Sequence, residues 1–313
     1  MLKEIAVVTI TVSNLAQVEE AWQEHFAYTT VASGTISSEL AEHWQAPRMA
    51  GDDYVLMQPA NDAPAYVRLI KDPAVAGYRP MTSHGWNATE LLVSDTDAVA
   101  AGMVDSAFDV IGAPRPLWDA PDAPRVMQAL GPGNELLYLT TNNQAKAGLG
   151  LDDSMPLVER PFIMVAGGAS MEAFRAFYVD TLGLTMSEPA PFRITMISKA
   201  NDLPLDTTYP LSVVNLSPGY LLEVDELPAA LGPRAVSNGR LPSGVAVVGI
   251  TADTLVDGLD WASPPQTLDE LPYGGREVGL LRGPGGELIE VIVTPAKTSS
   301  SDAATPHTPA DTQ

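Results

Sequence analysis

The chain has no cysteine among its 313 residues, which excludes disulfides, thiolate nucleophiles and Cys-ligated zinc or iron–sulfur centres. Positive charge is also scarce: 17 Lys and Arg stand against 39 Asp and Glu, a formal charge of −22. Such an excess repels phosphate backbones and anionic lipid, so neither nucleic acid nor a membrane is an expected partner. The same charge also serves plain solubility. No run approaches the roughly 20 apolar residues of a membrane span. The start, Met1-Leu2-Lys3-Glu4 followed by a short apolar run broken by threonines, lacks the basic start and long apolar core of a signal peptide. The expected location is cytoplasmic. Histidine is limited to four positions, so imidazole chemistry can be weighed site by site.

What the chain does have is 45% hydrophobic content, enough for two cores, and a repeated turn. Gly283-Pro284-Gly285-Gly286-Glu287-Leu288-Ile289-Glu290-Val291 is a tight turn feeding an apolar strand with one glutamate in its middle. Gly131-Pro132-Gly133-Asn134-Glu135-Leu136-Leu137-Tyr138-Leu139 repeats the pattern, with Tyr138 where Glu290 stands. A weaker copy, Ser217-Pro218-Gly219-Tyr220-Leu221-Leu222-Glu223-Val224, again sets a carboxylate in an apolar run. Tyr138 and Glu290 are 152 positions apart and Glu223 and Glu290 are 67 apart, which defines a half-chain period and a module period.

Each round reads strand, capped helix, then strands. Residues 6–12 are Val/Ile/Thr-rich and end at Ser13-Asn14, a helix N-cap, after which Leu15, Val18, Trp22 and Phe26 recur at helical spacing. The order restarts at 86–93, with Ser94-Asp95-Thr96-Asp97 as the cap; at 162–165, with Ser170 as the cap and strands expected at 193–198, 211–216 and 220–224; and at 245–251, with a short helix expected at 254–259. Residues 72–83 read as a connector and 142–161, polar with Gly and Pro, as the interdomain linker. The Ser/Thr/Pro/Ala tail 296–313 is expected to be disordered. The expected fold class is α+β: four βαβββ modules paired into two cup-like mixed-sheet domains. The first is 1–141 (modules 1–72 and 84–141) and the second 162–295 (modules 162–227 and 244–295). An open sheet face in each unit must pair to be buried or to wall a cavity.

With these pieces in place the chain resembles the vicinal oxygen chelate superfamily, which includes glyoxalase I, antibiotic-resistance proteins and extradiol dioxygenases. The matching stretches are Val8-Thr9-Ile10-Thr11-Val12-Ser13-Asn14-Leu15, Thr89-Glu90-Leu91-Leu92-Val93-Ser94-Asp95-Thr96-Asp97, Phe174-Arg175-Ala176-Phe177-Tyr178-Val179-Asp180-Thr181-Leu182-Gly183-Leu184 and the turn and strand Gly283 through Val291. The resemblance implies a metal site built from a His, Gln or Glu early in each first strand and a Glu late in each last strand. Carried onto this sequence, the first-strand positions are Val7, Ala88, a residue close to Ile163, and Ala246; the last-strand positions are Arg68 or a neighbour, Tyr138, Glu223 and Glu290. A divalent transition metal needs about three protein ligands, usually with imidazole, so no cofactor is expected; if a metal binds at all, Glu223 and Glu290 are its candidate ligands.

Strand alternation places His84, Trp86, Ala88 and Glu90 on one face, and by the resemblance that face lines a cup. His84 and Glu90 are then a candidate proton-transfer pair, with Tyr138 donating to a carbonyl or developing enolate. The alternative is that His84 caps the connector, Glu90 is solvated and Tyr138 is core. His43, Trp44, Arg68, Trp86 and Asn87 are candidate substrate-binding residues: the rings suit a flat or apolar ligand and Arg68 an anion, the alternative again being packing. The expected function is binding of a small apolar oxygenated metabolite with metal-independent isomerase or lyase chemistry beside a carbonyl. Sequestration without turnover, and a divergent metal-dependent dioxygenase or glyoxalase-like enzyme, stand as alternatives. Expected partners are a small-molecule ligand and, optionally, a second copy of the chain as a homodimer.

Overall fold

The structure is a computed structural model that describes residues 2–73, 77–255 and 258–294. The first module contains β1 (Leu2–Val12), α1 (Leu15–Phe26), β2 (Thr29–Thr35), α2 (Ser38–His43), β3 (Asp53–Gln58) and β4 (Tyr66–Lys71). The second contains β5 (Gly85–Val93), α3 (Thr96–Gly102), β6 (Asp109–Pro116), β7 (Arg125–Leu130) and β8 (Leu136–Thr141), followed by α4 (Asn143–Gly148). The third contains β9 (Val158–Gly168), α5 (Met171–Arg175) running on as a π-helical segment Ala176–Thr181, β10 (Thr185–Met186), β11 (Ala190–Phe192), α6 (Thr195–Ala200), β12 (Tyr209–Asn215) and β13 (Leu221–Glu226). The fourth contains β14 (Gly244–Ala252), β15 (Ser263–Leu268), β16 (Arg276–Arg282) and β17 (Leu288–Val293). The helices start where the side chains of Asn14, Asp95 and Ser170 accept from backbone N–H groups of the first turn, satisfying donors that a helix leaves orphaned.

Two mixed sheets result, but their composition differs from expectation. One has eight strands in the order β15-β16-β17-β14-β1-β4-β3-β2; the other runs β10-β12-β13-β9-β5-β8-β7-β6, with β11 on β12. Modules one and four therefore share a sheet, as do two and three, through the antiparallel seams β1–β14 and β5–β9. Sequence neighbours, expected as 1–141 and 162–295, pack back to back instead. The expected linker 142–161 carries α4 and the start of β9, where Val158 pairs with Val93. The strand expected at 193–198 is helix α6, and β15, unforeseen because Pro264 and Pro265 interrupt it, is an edge strand, where proline is tolerated. The helix expected at 254–259 falls partly on residues outside those described, as do part of the connector 72–83 and the whole tail 296–313.

The hydrophobic residues divide accordingly. One cluster joins the helix-bearing faces of both sheets, with Trp22, Phe26, Trp86, Phe162, Phe174 and Tyr178 at its centre. The other two lie one inside each concave face. The repeated Gly-Pro-Gly turns stitch the two sheets together. Glu135 accepts the Trp22 indole N–H at 3.2 Å and the Gly133 N–H at 2.8 Å, and Glu287 accepts the Tyr178 hydroxyl at 3.0 Å. Each turn thus docks its module's last strand onto the helix of the preceding module. A Cβ on Gly131 or Gly283 would lie 2.0 Å from the glutamate it cradles, and Asn134 and Gly286 take the left-handed backbone at φ 62° and 86°, which is why these positions are glycine or asparagine. Burial lifts the carboxyls of Glu135 and Glu287 to about 7.

Candidate functional site

The two cups have different fates. In the cup of modules one and four, α2 folds inward and fills the space. The Trp44 indole N–H donates to Glu290 Oε1 at 2.7 Å, and the Tyr273 hydroxyl reaches both carboxylate oxygens at 2.8 and 3.0 Å. Arg68 donates to Tyr273 at 3.0 Å, to Thr9 at 3.4 Å and to the Leu271 carbonyl at 3.3 Å, with the rings of Trp44 and Tyr273 both 5.2 Å from its guanidinium carbon. His43 Nε2 stands 3.9 Å from Glu290, and burial, outweighing the pull of that carboxylate, holds its imidazole below the usual range. Glu290, Arg68, Trp44 and His43 are all buried. Three expected ligand-binding residues, His43, Trp44 and Arg68, thus form a packed charge network around Glu290, in which Arg68 supplies the positive charge through Tyr273.

The cup of modules two and three holds a cavity of about 370 Å³, in the range of small-molecule sites. Its floor is the sheet. Gln128, Tyr138, Glu90 and Ile163 stand in one row across β7, β8, β5 and β9, and Leu221 of β13 continues it. Glu223 sits two residues along β13, opposite Val165, so roughly 12 Å of sheet separates its Cα from that of Glu90, a gap two inward-leaning side chains can span. The walls are Leu117, Val126, Phe192, Ile194, Met196 and Leu211, with Arg115, Trp118, Asp122 and Arg193 at the mouth. Helix α6 covers one side; α2, its counterpart in module one, is the piece that closes the other cup.

The electrostatics of this floor follow from removing carboxyls from water. Burial raises Glu90 to about 7. Glu223 is pushed well above the usual range by burial, then by the neighbouring Asp225 and Glu90, because like charges in a dry site disfavour ionisation. Asp225, fully buried on the same face and without a hydrogen-bond partner among the described residues, is raised by burial. Burial and the surrounding carboxyls push the Tyr138 phenol well above its usual value, so it is a donor at every ordinary pH. Asp225 was not foreseen, though its spacing from Glu223 at period two puts it on the same face. Tyr273 had no local signal, since a loop carries it across the other cup.

The remaining expectations redistribute. His84, Trp86, Ala88 and Glu90 do not share a face, because a bulge between Trp86 and Ala88 flips the alternation. Trp86 lies in the central core and donates to the Leu288 carbonyl at 2.8 Å. His84 forms an isolated bridge with Pro233 beside a smaller cavity of about 100 Å³, roughly 20 Å along the strand from Glu90; the pair is not brought together. Burial lowers its imidazole. Asn87 is a loop staple, accepting from Met81 N at 2.8 Å and donating to the carbonyls of Ser83 and Gly85 at 3.1 and 2.9 Å. Glu223 and Glu290 belong to different sheets and cannot form one site. Among the described residues no three His, Asp or Glu side chains are arranged to hold a metal ion. The donors of the open cup, two cavity-lining carboxyls and a phenol with no imidazole, do not fit the usual transition-metal set.

At the level of sequence, no family model and no curated protein matches the chain. In structure it is similar to a glyoxalase I mutant from Zea mays, at a TM-score of 0.62 and 13% identity, covering 93% of this chain and 92% of that one. It is similar also to a putative dioxygenase from Bacillus subtilis, at a TM-score of 0.59 and 10% identity, covering 94% and 86%. The chain has the vicinal oxygen chelate fold in its two-sheet, four-module form. No helix among the described residues is long and apolar enough to cross a membrane.

Proposed function

We propose that the protein binds a small, largely apolar carbonyl compound in the cup of modules two and three and moves a proton next to its carbonyl, as an isomerase or lyase. The observation that carries this reading is the cavity of about 370 Å³ whose floor presents Glu90, Glu223 and Tyr138 beneath apolar walls. A base is most effective with a pKa near the working pH, and Glu90, at about 7, meets that condition. Its carboxylate takes a proton from the carbon beside the carbonyl. The C–H electron pair becomes the new C=C bond, and the carbonyl π pair moves onto oxygen, where the Tyr138 hydroxyl donates to the developing charge. In a β,γ-unsaturated substrate the oxygen pair then re-forms the carbonyl, the enolate double bond shifts to Cα–Cβ, and the Cβ–Cγ π pair takes a proton at Cγ from Glu223, held protonated, which completes an isomerisation. If Cβ carries a leaving group instead, the same return of electrons forms the Cα–Cβ double bond and expels the group with its bonding pair, to which Glu223 gives its proton, and the outcome is elimination.

The test is proton exchange in D2O. Full-length protein is incubated with a panel of small aryl and alkyl ketones and aldehydes, and loss of α-proton NMR signal is compared for the wild type and Glu90→Gln. Exchange above the buffer rate that disappears in Glu90→Gln is expected. Binding of panel members without exchange favours the alternative of a sequestering protein, for which the apolar walls alone suffice. Panel compounds that neither bind nor exchange remove the cavity from both readings.

A further inference from the structure

Resting on that assignment of the cavity, we propose that its ligand carries a carboxylate, which Arg115 and Arg193 clamp at the mouth while the apolar body lies over Glu90 and Tyr138. Five of the twelve arginines, Arg48, Arg115, Arg193, Arg276 and Arg282, have no side-chain partner among the described residues, and of these Arg115 and Arg193 line the cavity. Arg125 pairs with Asp97, Arg160 with Glu159, Arg175 with Glu188, and Arg240 with both Asp52 and Asp72. Arg115 and Arg193 have no ion pair or hydrogen bond to any described residue, and both are exposed where they line the cavity of about 370 Å³.

Their places in the fold make this a clamp. Arg115 is on β6, at one edge of the sheet, and Arg193 follows β11, which pairs with β12 near the opposite edge. Curling the sheet into a cup brings the two edges to facing rims. A planar carboxylate offers each guanidinium two acceptors. The chemistry of the floor also fixes which end of the ligand enters first: an anionic head seated there would lose its solvation among buried groups and meet the charge of Glu90 in its base form. The head stays at the mouth, and a neutral, oxygenated body goes in. Asp122 also lines the mouth and limits the ligand to a single negative charge.

Titration calorimetry with two probes of equal shape tests this on the full-length protein at low salt: 1-naphthoate, a carboxylate, and 1-naphthamide, its neutral counterpart. The wild type should bind 1-naphthoate at least tenfold more tightly than 1-naphthamide. The double variant Arg115→Gln/Arg193→Gln should lose that preference while its affinity for 1-naphthamide stays within twofold. Equal binding of the two probes by the wild type, or a preference that survives in the double variant, overturns the clamp while leaving the cavity assignment in place. If the wild type binds neither probe at millimolar concentration, or if Leu211→Trp, which fills the cavity, leaves both affinities unchanged, the cavity assignment falls and the clamp with it.

Discussion

Trp44 donates its indole N–H to Glu290 at 2.7 Å, and through this contact helix α2 seals one of two cups built on the same plan. The other cup has Glu223 at the corresponding last-strand position and α6 in place of α2, and there the space stays open. One module scaffold thus yields a closed, load-carrying half and a hollow half within a single chain.

If Glu90 is the base, activity follows its ionisation. A base works only when deprotonated, so the exchange rate should rise with pH through about 7, the value to which burial lifts this carboxyl, and level off above it. Glu90→Gln should lower the rate by about 10²–10⁴-fold with little change in probe affinity. A rate that does not vary between pH 5.5 and 8.5 would remove Glu90 from that role.

The sealed cup should matter for stability and not for ligand. Trp44→Phe and Tyr273→Phe each withdraw a donor from the fully buried Glu290, at an expected loss of about 1–3 kcal/mol. Urea unfolding measures this, while the affinity for 1-naphthamide should be unchanged. A variant that loses affinity without losing stability would place the ligand in the wrong cup.

Glu135 and Glu287 make stability depend on pH. Burial raises each folded-state carboxyl from 4.5 to about 7, so between these values the folded chain holds more protons than the unfolded one. Stability then falls as pH rises from about 4.5 to about 7 and is flat beyond that, as far as these two groups contribute. Self-repulsion of the acidic chain acts in the same direction, so the comparison must be with a variant. In Glu135→Gln the difference in melting temperature between pH 5 and pH 8 should shrink; an unaltered difference would show that this carboxyl does not titrate on unfolding.

The seams between non-adjacent modules predict how the chain divides. A fragment of residues 1–141 keeps β1 and β5 but lacks β14 and β9, the strands they pair with, and it leaves two long apolar edges unpaired. It should be aggregated or lack a cooperative thermal transition in circular dichroism. A soluble, cooperatively folding fragment would contradict the seams.

Much of this was legible in the chain. The caps at Asn14, Asp95 and Ser170, the repeated turns and the module period come from local pattern, because backbone sterics and capping act within a few residues. The cup-facing positions Arg68, Tyr138, Glu223 and Glu290 came only from the family resemblance, and period-two alternation, applied to His84, Trp86, Ala88 and Glu90, failed at the bulge after Trp86, since a single extra residue reverses every face beyond it.

The sequence by itself determined a four-fold sheet-and-helix unit with its caps and turns. Only the tertiary structure decided that the first unit pairs with the fourth and the second with the third, that Trp44 and Tyr273 close one cup, and that Arg115 and Arg193 both line the other. The reason is physical: periodicity specifies which face of an element is apolar, but not which distant surface will cover it, and that choice is made by packing among residues far apart in the chain.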